Sequence, residues 1–151
     1  MATQCKLYTN VRQMIPPNEW TTVRFDVVLR NDRSMYRGDK TITRPESALI
    51  VPPQDGDFIW SRFVKWEPIT IPEGDTRPRD FHERFVRDPY GEEPDGTGET
   101  DGPDTVGQDL RVVTWLFWGK GGRPIAVQVR HNHHEPVGII HAQFSATTWD
   151  Y

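Results

Sequence analysis

The chain has a single cysteine, Cys5, in 151 residues. No intramolecular disulfide can form, and a cysteine-based metal cluster is excluded. No apolar run approaches the roughly eighteen residues that a membrane-spanning helix needs. The opening MATQCKLYTN lacks a basic segment followed by an apolar one, so no secretory signal is expected and synthesis in a reducing cytoplasm is. An excess of basic charge is also missing. The net charge is −4, which argues against nucleic acid as a partner. No segment shows a capped helical stripe with i, i+3, i+4 spacing. Catalytic signatures are absent too, with no G-x-S-x-G elbow and no Ser/His/Asp arrangement. GKGGRP (119–124) joins two strands and opens no helix, so it reads as a hairpin turn and not as a phosphate cradle.

What remains is a chain of modest apolar content, 35%, with six tryptophans and thirteen prolines. That balance favours short strands and loops over helices. The length suits one domain spanning 1–151. Trp20–Leu29 alternates with Val23, Phe25, Val27 and Leu29 inward, as a half-buried strand should. Phe58–Trp66 places Phe58, Trp60, Val64 and Trp66 on one side and Ile59 and Phe63 on the other. Phe81–Arg87 alternates loosely. Ile125, Val127 and Val129 share one face, opposite Gln128 and Arg130. Ile139–Thr148 carries Ile140, Ala142, Phe144 and Ala146 on a common face.

The segment Asp109–Trp118 breaks the rule. Leu110, Val112, Leu116 and Trp118 line one face while Val113, Trp115 and Phe117 line the other. Both faces ask for burial, and the cheapest cover for the second is another copy of the chain. Asp88–Gln108 is acidic and rich in Gly and Pro, and is expected to be a structureless loop. Roughly eight strands with no helix predict an all-β, two-sheet antiparallel sandwich or jelly roll.

The order of these signals resembles the C1q/tumour-necrosis-factor jelly roll, in particular the small versions found in bacteriophage and actinobacterial proteins. The matching positions are Ile15-Pro16, then Trp20 to Asp26, a run ending at Val51-Pro52, and Gly56-Asp57-Phe58 opening a strand that closes at Trp66. The turn at Gly119–Pro124 and a last strand with Phe144 complete them. The chain departs from the pattern in a longer Val51 to Gly56 spacing and in the long acidic loop. The resemblance implies a homotrimer packed through the inner sheet, near strands Phe58–Trp66, Asp109–Trp118 and Ile139–Thr148. Phe63, Trp115, Phe117, His141 and Gln143 are then expected at the subunit contact. Val23, Phe25, Val27, Trp60, Leu116, Val127, Val129, Ile140 and Phe144 are expected in the core.

Candidate chemistry is sparse. His131, His133 and His134 sit near a strand end and His141 follows, and neutral imidazoles ligate metals. The downstream carboxylate that a cupin-type enzyme needs is missing, so His131, His133 and His141 are weak metal candidates and a polar strand end is the simpler reading. His141 is also a candidate for a pH-sensitive contact near a three-fold axis. Asp95, Glu99, Asp101, Asp104 and Asp109 offer hard oxygen ligands for calcium, but EF-hand spacing is absent. Trp20, Tyr36, Tyr90 and Trp149 are candidates for exposed, sugar-stacking aromatics. No catalytic residue and no cofactor is expected.

The resemblance implies a non-enzymatic virion protein, made in the host cytoplasm. It would decorate the capsid surface as a trimer that binds the major capsid protein of a phage shell, with no membrane partner. The absence of a fibrous shaft or collagen-like repeat favours that stand-alone role. The alternatives are the trimeric receptor- or glycan-binding head of a tail fibre or tail tip, and a metal-dependent jelly-roll enzyme.

Overall fold

The computed structural model describes residues 1–103 and 110–149. These form ten strands and two short 3-10 turns. The strands are β1 (Ala2–Thr9), β2 (Gln13–Ile15), β3 (Thr21–Thr22), β4 (Val27–Asn31), β5 (Gly56–Trp66), β6 (Asp80–Arg87), β7 (Asp95–Pro103), β8 (Leu110–Gly119), β9 (Ile125–His131) and β10 (Val137–Trp149). One sheet runs β4-β1-β10-β5-β8, with β2 also paired to the start of β10; the other runs β3-β9-β6-β7. All pairings are antiparallel, and the β1–β10 ladder runs from Ala2↔Trp149 to Thr9↔Ala142. The fold class is the predicted two-sheet jelly roll, with more strands than the eight or so expected.

Period two on β5 points Phe58, Trp60, Val64 and Trp66 between the sheets, where each is at most 1% exposed. Trp60 stacks on Phe117 at 5.1 Å and on Phe144 at 6.0 Å, and Phe85 of the facing sheet closes on both, at 5.5 and 6.2 Å. Phe25 adds to the cluster against Phe144 at 5.9 Å. Val23, Val127 and Val129 are fully buried beside it.

Five expectations need correction. Trp20–Leu29 is not one strand. After Thr22 the chain crosses from the four-stranded to the six-stranded sheet, held in transit by the Val23 N–H on the Val127 carbonyl (2.9 Å). A bulge in the β1–β4 ladder then shifts the alternation. Val28 packs on the core, Val27 is half-buried and Leu29 is 66% exposed. On β10 a register shift between Ile139 and His141 does the same. Ile139 is in the core and Ile140 is only half-buried.

On β8 the faces are the reverse of those expected. Phe117 is pulled inward by Trp60, so Leu116 turns out and is 65% exposed. The Gly119–Pro124 turn is no hairpin, because β8 and β9 lie in different sheets. Its Gly122, with φ +80, suits a tight crossing that docks on the Pro52 carbonyl (2.9 Å).

The expected loop Asp88–Gln108 contains β7. Its composition is poor for a strand, so something else must hold it. On the core face of β5 sits Arg62, only 2% exposed. Its guanidinium crosses the sandwich over the Phe85 ring (4.5 Å) and donates to the carbonyls of Glu83 (3.2 Å) and Gly98 (2.7 Å) and to Thr100 Oγ1 (3.0 Å). Gly98 has φ +61 and lies in a β6–β7 bulge, where two residues oppose one. The bulge frees a carbonyl from the ladder, and the arginine takes it.

Replacing Arg62 by Met keeps the apolar stem and removes these donors. Loss of about 3 kcal/mol in chemical denaturation is expected, with amide exchange in Asp95–Pro103 accelerating before that of β5. Unchanged protection of β7 would show that the arginine does not hold it.

Candidate functional site

The face of the six-stranded sheet that turns away from the core is the main unsatisfied surface. Register defines it row by row across β8, β5 and β10. Leu116, Ile59 and Thr147 form one row; Thr114, Ser61 and Ser145 the next; Val112, Phe63 and Gln143 a third. Lys65 and His141 follow. Val112, Leu116 and Trp118 are 62%, 65% and 53% exposed. Large apolar side chains left in water at three of the four outward positions from 112 to 118 of one strand are the usual mark of an interaction surface. Between the apolar rows, Ser61 Oγ and Thr114 Oγ1 lie 3.3 Å apart and supply a polar step.

Of the residues expected at the subunit contact, Phe63, His141 and Gln143 lie on this face. Phe117 lies in the core. Trp115 points the same way as Phe117 but remains 48% exposed, because β8 is the free edge of its sheet. Val112 and Trp118 were missed as contact candidates, and Leu116 was assigned to the core. The signal for the choice was Trp60, whose inward position obliges its ladder neighbours to follow.

The histidines do not converge on one point. His131 is buried; its Nε2 meets the Ile15 carbonyl at 2.7 Å and its Nδ1 accepts the His133 N–H at 3.1 Å. Trp66 and Phe81 wall the ring in. His133 Nδ1 accepts from Arg79 Nε (2.9 Å), and that guanidinium is fixed by Asp75 (2.6 Å). His133, His134 and Glu135 bring possible ligand atoms within 4.8 Å of one another. A cation there would compete with the guanidinium already held on His133. His141 contacts Asn10 Oδ1 through Nδ1 (2.6 Å) and Gln143 through Nε2 (3.0 Å), so both ring nitrogens are engaged within the chain.

Among the calcium candidates, Glu99 pairs with His82 (3.3 Å) and Asp95 lies 3.7 Å from Arg87. Asp101 lies in β7, and Asp104 and Asp109 fall outside the described residues. Of the four aromatics, Tyr36 is buried with its hydroxyl on the Phe25 carbonyl (2.9 Å), and Trp20 lies under the Arg84 guanidinium (4.0 Å). Tyr90 and Trp149 are about half exposed.

No family model matches the sequence, and no curated protein does. Solved structures do match in fold. The globular domain of a zebrafish complement 1qA protein aligns over 99% of this chain and 98% of its own, with TM-score 0.61 and 9% identity. Murine APRIL, in a crystal structure at pH 5.0, aligns over 99% of this chain and 100% of its own, with TM-score 0.64 and 10% identity. The Eiger TNF of S. frugiperda aligns over 100% and 94%, with TM-score 0.56 and 9% identity. The chain has the C1q/TNF-like jelly-roll fold.

Burial holds the pKa values of His131, His133 and His141 below the usual histidine range, reinforced at His133 by nearby cations and at His141 by Lys65. The unfolded chain takes these protons at about pH 6.5, while the native state resists them. The unfolded state therefore binds more protons as pH falls, and stability drops with it. Urea denaturation should show a lower unfolding free energy at pH 5 than at pH 7.5, with a shallower dependence in a His131→Asn variant. Stability that rose on acidification would contradict this.

Proposed function

We propose that the chain is a non-enzymatic structural protein, a homotrimer whose copies pack through the outer face of β10, β5 and β8. In this reading it decorates the shell of a bacteriophage capsid. The observation that carries the self-association is the exposed series Val112, Leu116 and Trp118, on the same sheet whose inner face builds the core. A closed symmetric assembly covers such a face on every copy. The phage assignment rests on the sequence resemblance, and the shell partner is the major capsid protein. Three identical surfaces engaging several shell subunits raise one another's effective concentration, so weak single contacts add to a firm hold.

The exposed Trp149 and Tyr90 favour one second reading, a trimeric head that binds a host receptor or glycan. Co-sedimentation with empty shells and failure to bind host cells supports decoration; the converse supports the head.

Light scattering on the purified chain should give three times the mass of one copy. Replacing Leu116 and Val112 each by Lys should yield a folded monomer, since two like charges on the face that carries Lys65 would then be buried without partners. A trimer that survived the double substitution would place the contact elsewhere.

A further inference from the structure

The outer face of the six-stranded sheet ends, beside the 52–56 and 119–124 turns, in an open groove of about 560 Å³. Its make-up follows from register. Asp57 on β5 stands opposite Trp118 on β8. On the other side Ile59 pairs with Thr147 of β10, so Trp149, two residues on, flanks Asp57 from that strand. Side chains opposite one another on one face lie about 5 Å apart at Cβ. The next row, Leu116 and Ile59, floors the groove. A carboxylate thus sits between two half-exposed indoles above an apolar base.

Among the described residues the Asp57 side chain has no hydrogen bond or ion pair, and neither Lys nor Arg lines the groove. The Thr148 hydroxyl donates to the Asp57 main-chain carbonyl (2.8 Å), which fixes the strand and leaves the carboxylate free. Asp55 adds a second carboxylate, of which one oxygen takes the Gly121 N–H (2.8 Å).

We infer that this groove binds an organic cation, the guanidinium or ammonium head of an Arg or Lys side chain presented by a partner protein. Indole faces attract cations most strongly of the aromatic rings. Asp57 supplies the opposite charge, and Leu116 and Ile59 accommodate the methylenes behind the head. An anion would meet two carboxylates, with the Arg33 guanidinium at the rim already held on Gln54 (3.3 Å). A neutral sugar would stack on the indoles but leave the acidic charge unanswered. The groove shares Leu116 and Trp118 with the face read above as the self-association surface, so cation and neighbouring copy compete for them, and the solution mass in the test tells the two apart.

The test uses the full chain and N-acetyl-arginine amide, followed by tryptophan emission and amide chemical shifts at low salt, with solution mass measured on the same samples. Saturable binding is expected, with shifts at Asp57, Trp118 and Trp149. Affinity should fall at least tenfold in Asp57→Asn but not in Glu73→Gln, and N-acetyl-norleucine amide should not bind. Loss of binding in Asp57→Asn at unchanged mass supports the site whatever that mass is. The proposal is overturned if the arginine derivative fails to saturate or if methyl glucoside binds equally well. It is also overturned if Asp57→Asn lowers the mass, which would mean that a neighbouring copy fills the groove.

Discussion

Everything in this molecule is arranged around the packing of Trp60 between Phe117 and Phe144, with Phe85 closing from the opposite sheet. Aromatic rings at such spacings contribute the largest share of buried apolar area per residue, and offset stacking adds about 1 kcal/mol per pair beyond it. The geometric effect reaches further. Strands alternate strictly, so fixing Phe117 inward decides the fate of its whole strand, and Leu116, Trp118 and Val112 are committed to the outside. The same rings join three strands of one sheet to the other. The core that stabilises the fold and the surface that solicits a partner are therefore one decision, made once per strand.

The parts of this arrangement that were legible in the sequence are those governed by uninterrupted alternation. Val23 and Phe25, the even positions of Phe58–Trp66, and Val127 and Val129 obey period two. Legibility failed where a single residue is inserted into a ladder. Bulges at the β1–β4 pairing and near Ile140 move Leu29 and Ile140 off the faces that simple alternation assigns them. It failed again at β7, where Asp-Gly-Thr-Gly-Glu-Thr-Asp-Gly-Pro carries no local strand signal. Its structure comes from a neighbour in space, the buried Arg62, whose guanidinium reaches it from the opposite sheet and which no local pattern in 95–103 announces. The two-faced character of β8 was legible, but the choice of face was not. Composition shows that both sides are apolar, and only the contact with Trp60 says which side faces in.

The sheets divide the work. On the four-stranded sheet much of the outward side is polar and paired within the chain. Arg84 bonds Gln128 at 2.7 and 3.0 Å while covering Trp20, and Gln128 reaches Thr22 at 3.2 Å. Such a surface has little to gain from a partner. The six-stranded sheet leaves apolar rows, two indoles and an unanswered carboxylate on its outward side, so the drive to associate is concentrated there.

The pairing of β1 with β10 has a consequence in time. β10 is the central strand of its sheet, with β1 on one side and β5 on the other, yet it is the last of the ten strands to leave the ribosome. Until it arrives, β1 and β5 each present an unpaired hydrogen-bonding edge, and Trp60 lacks Phe144. Contacts between such distant segments form slowly and cannot be assembled stepwise during translation. The nascent chain must therefore be kept from pairing its open edges with those of other nascent copies. The residue pair Ala2 and Trp149 marks the point at which this exposure ends.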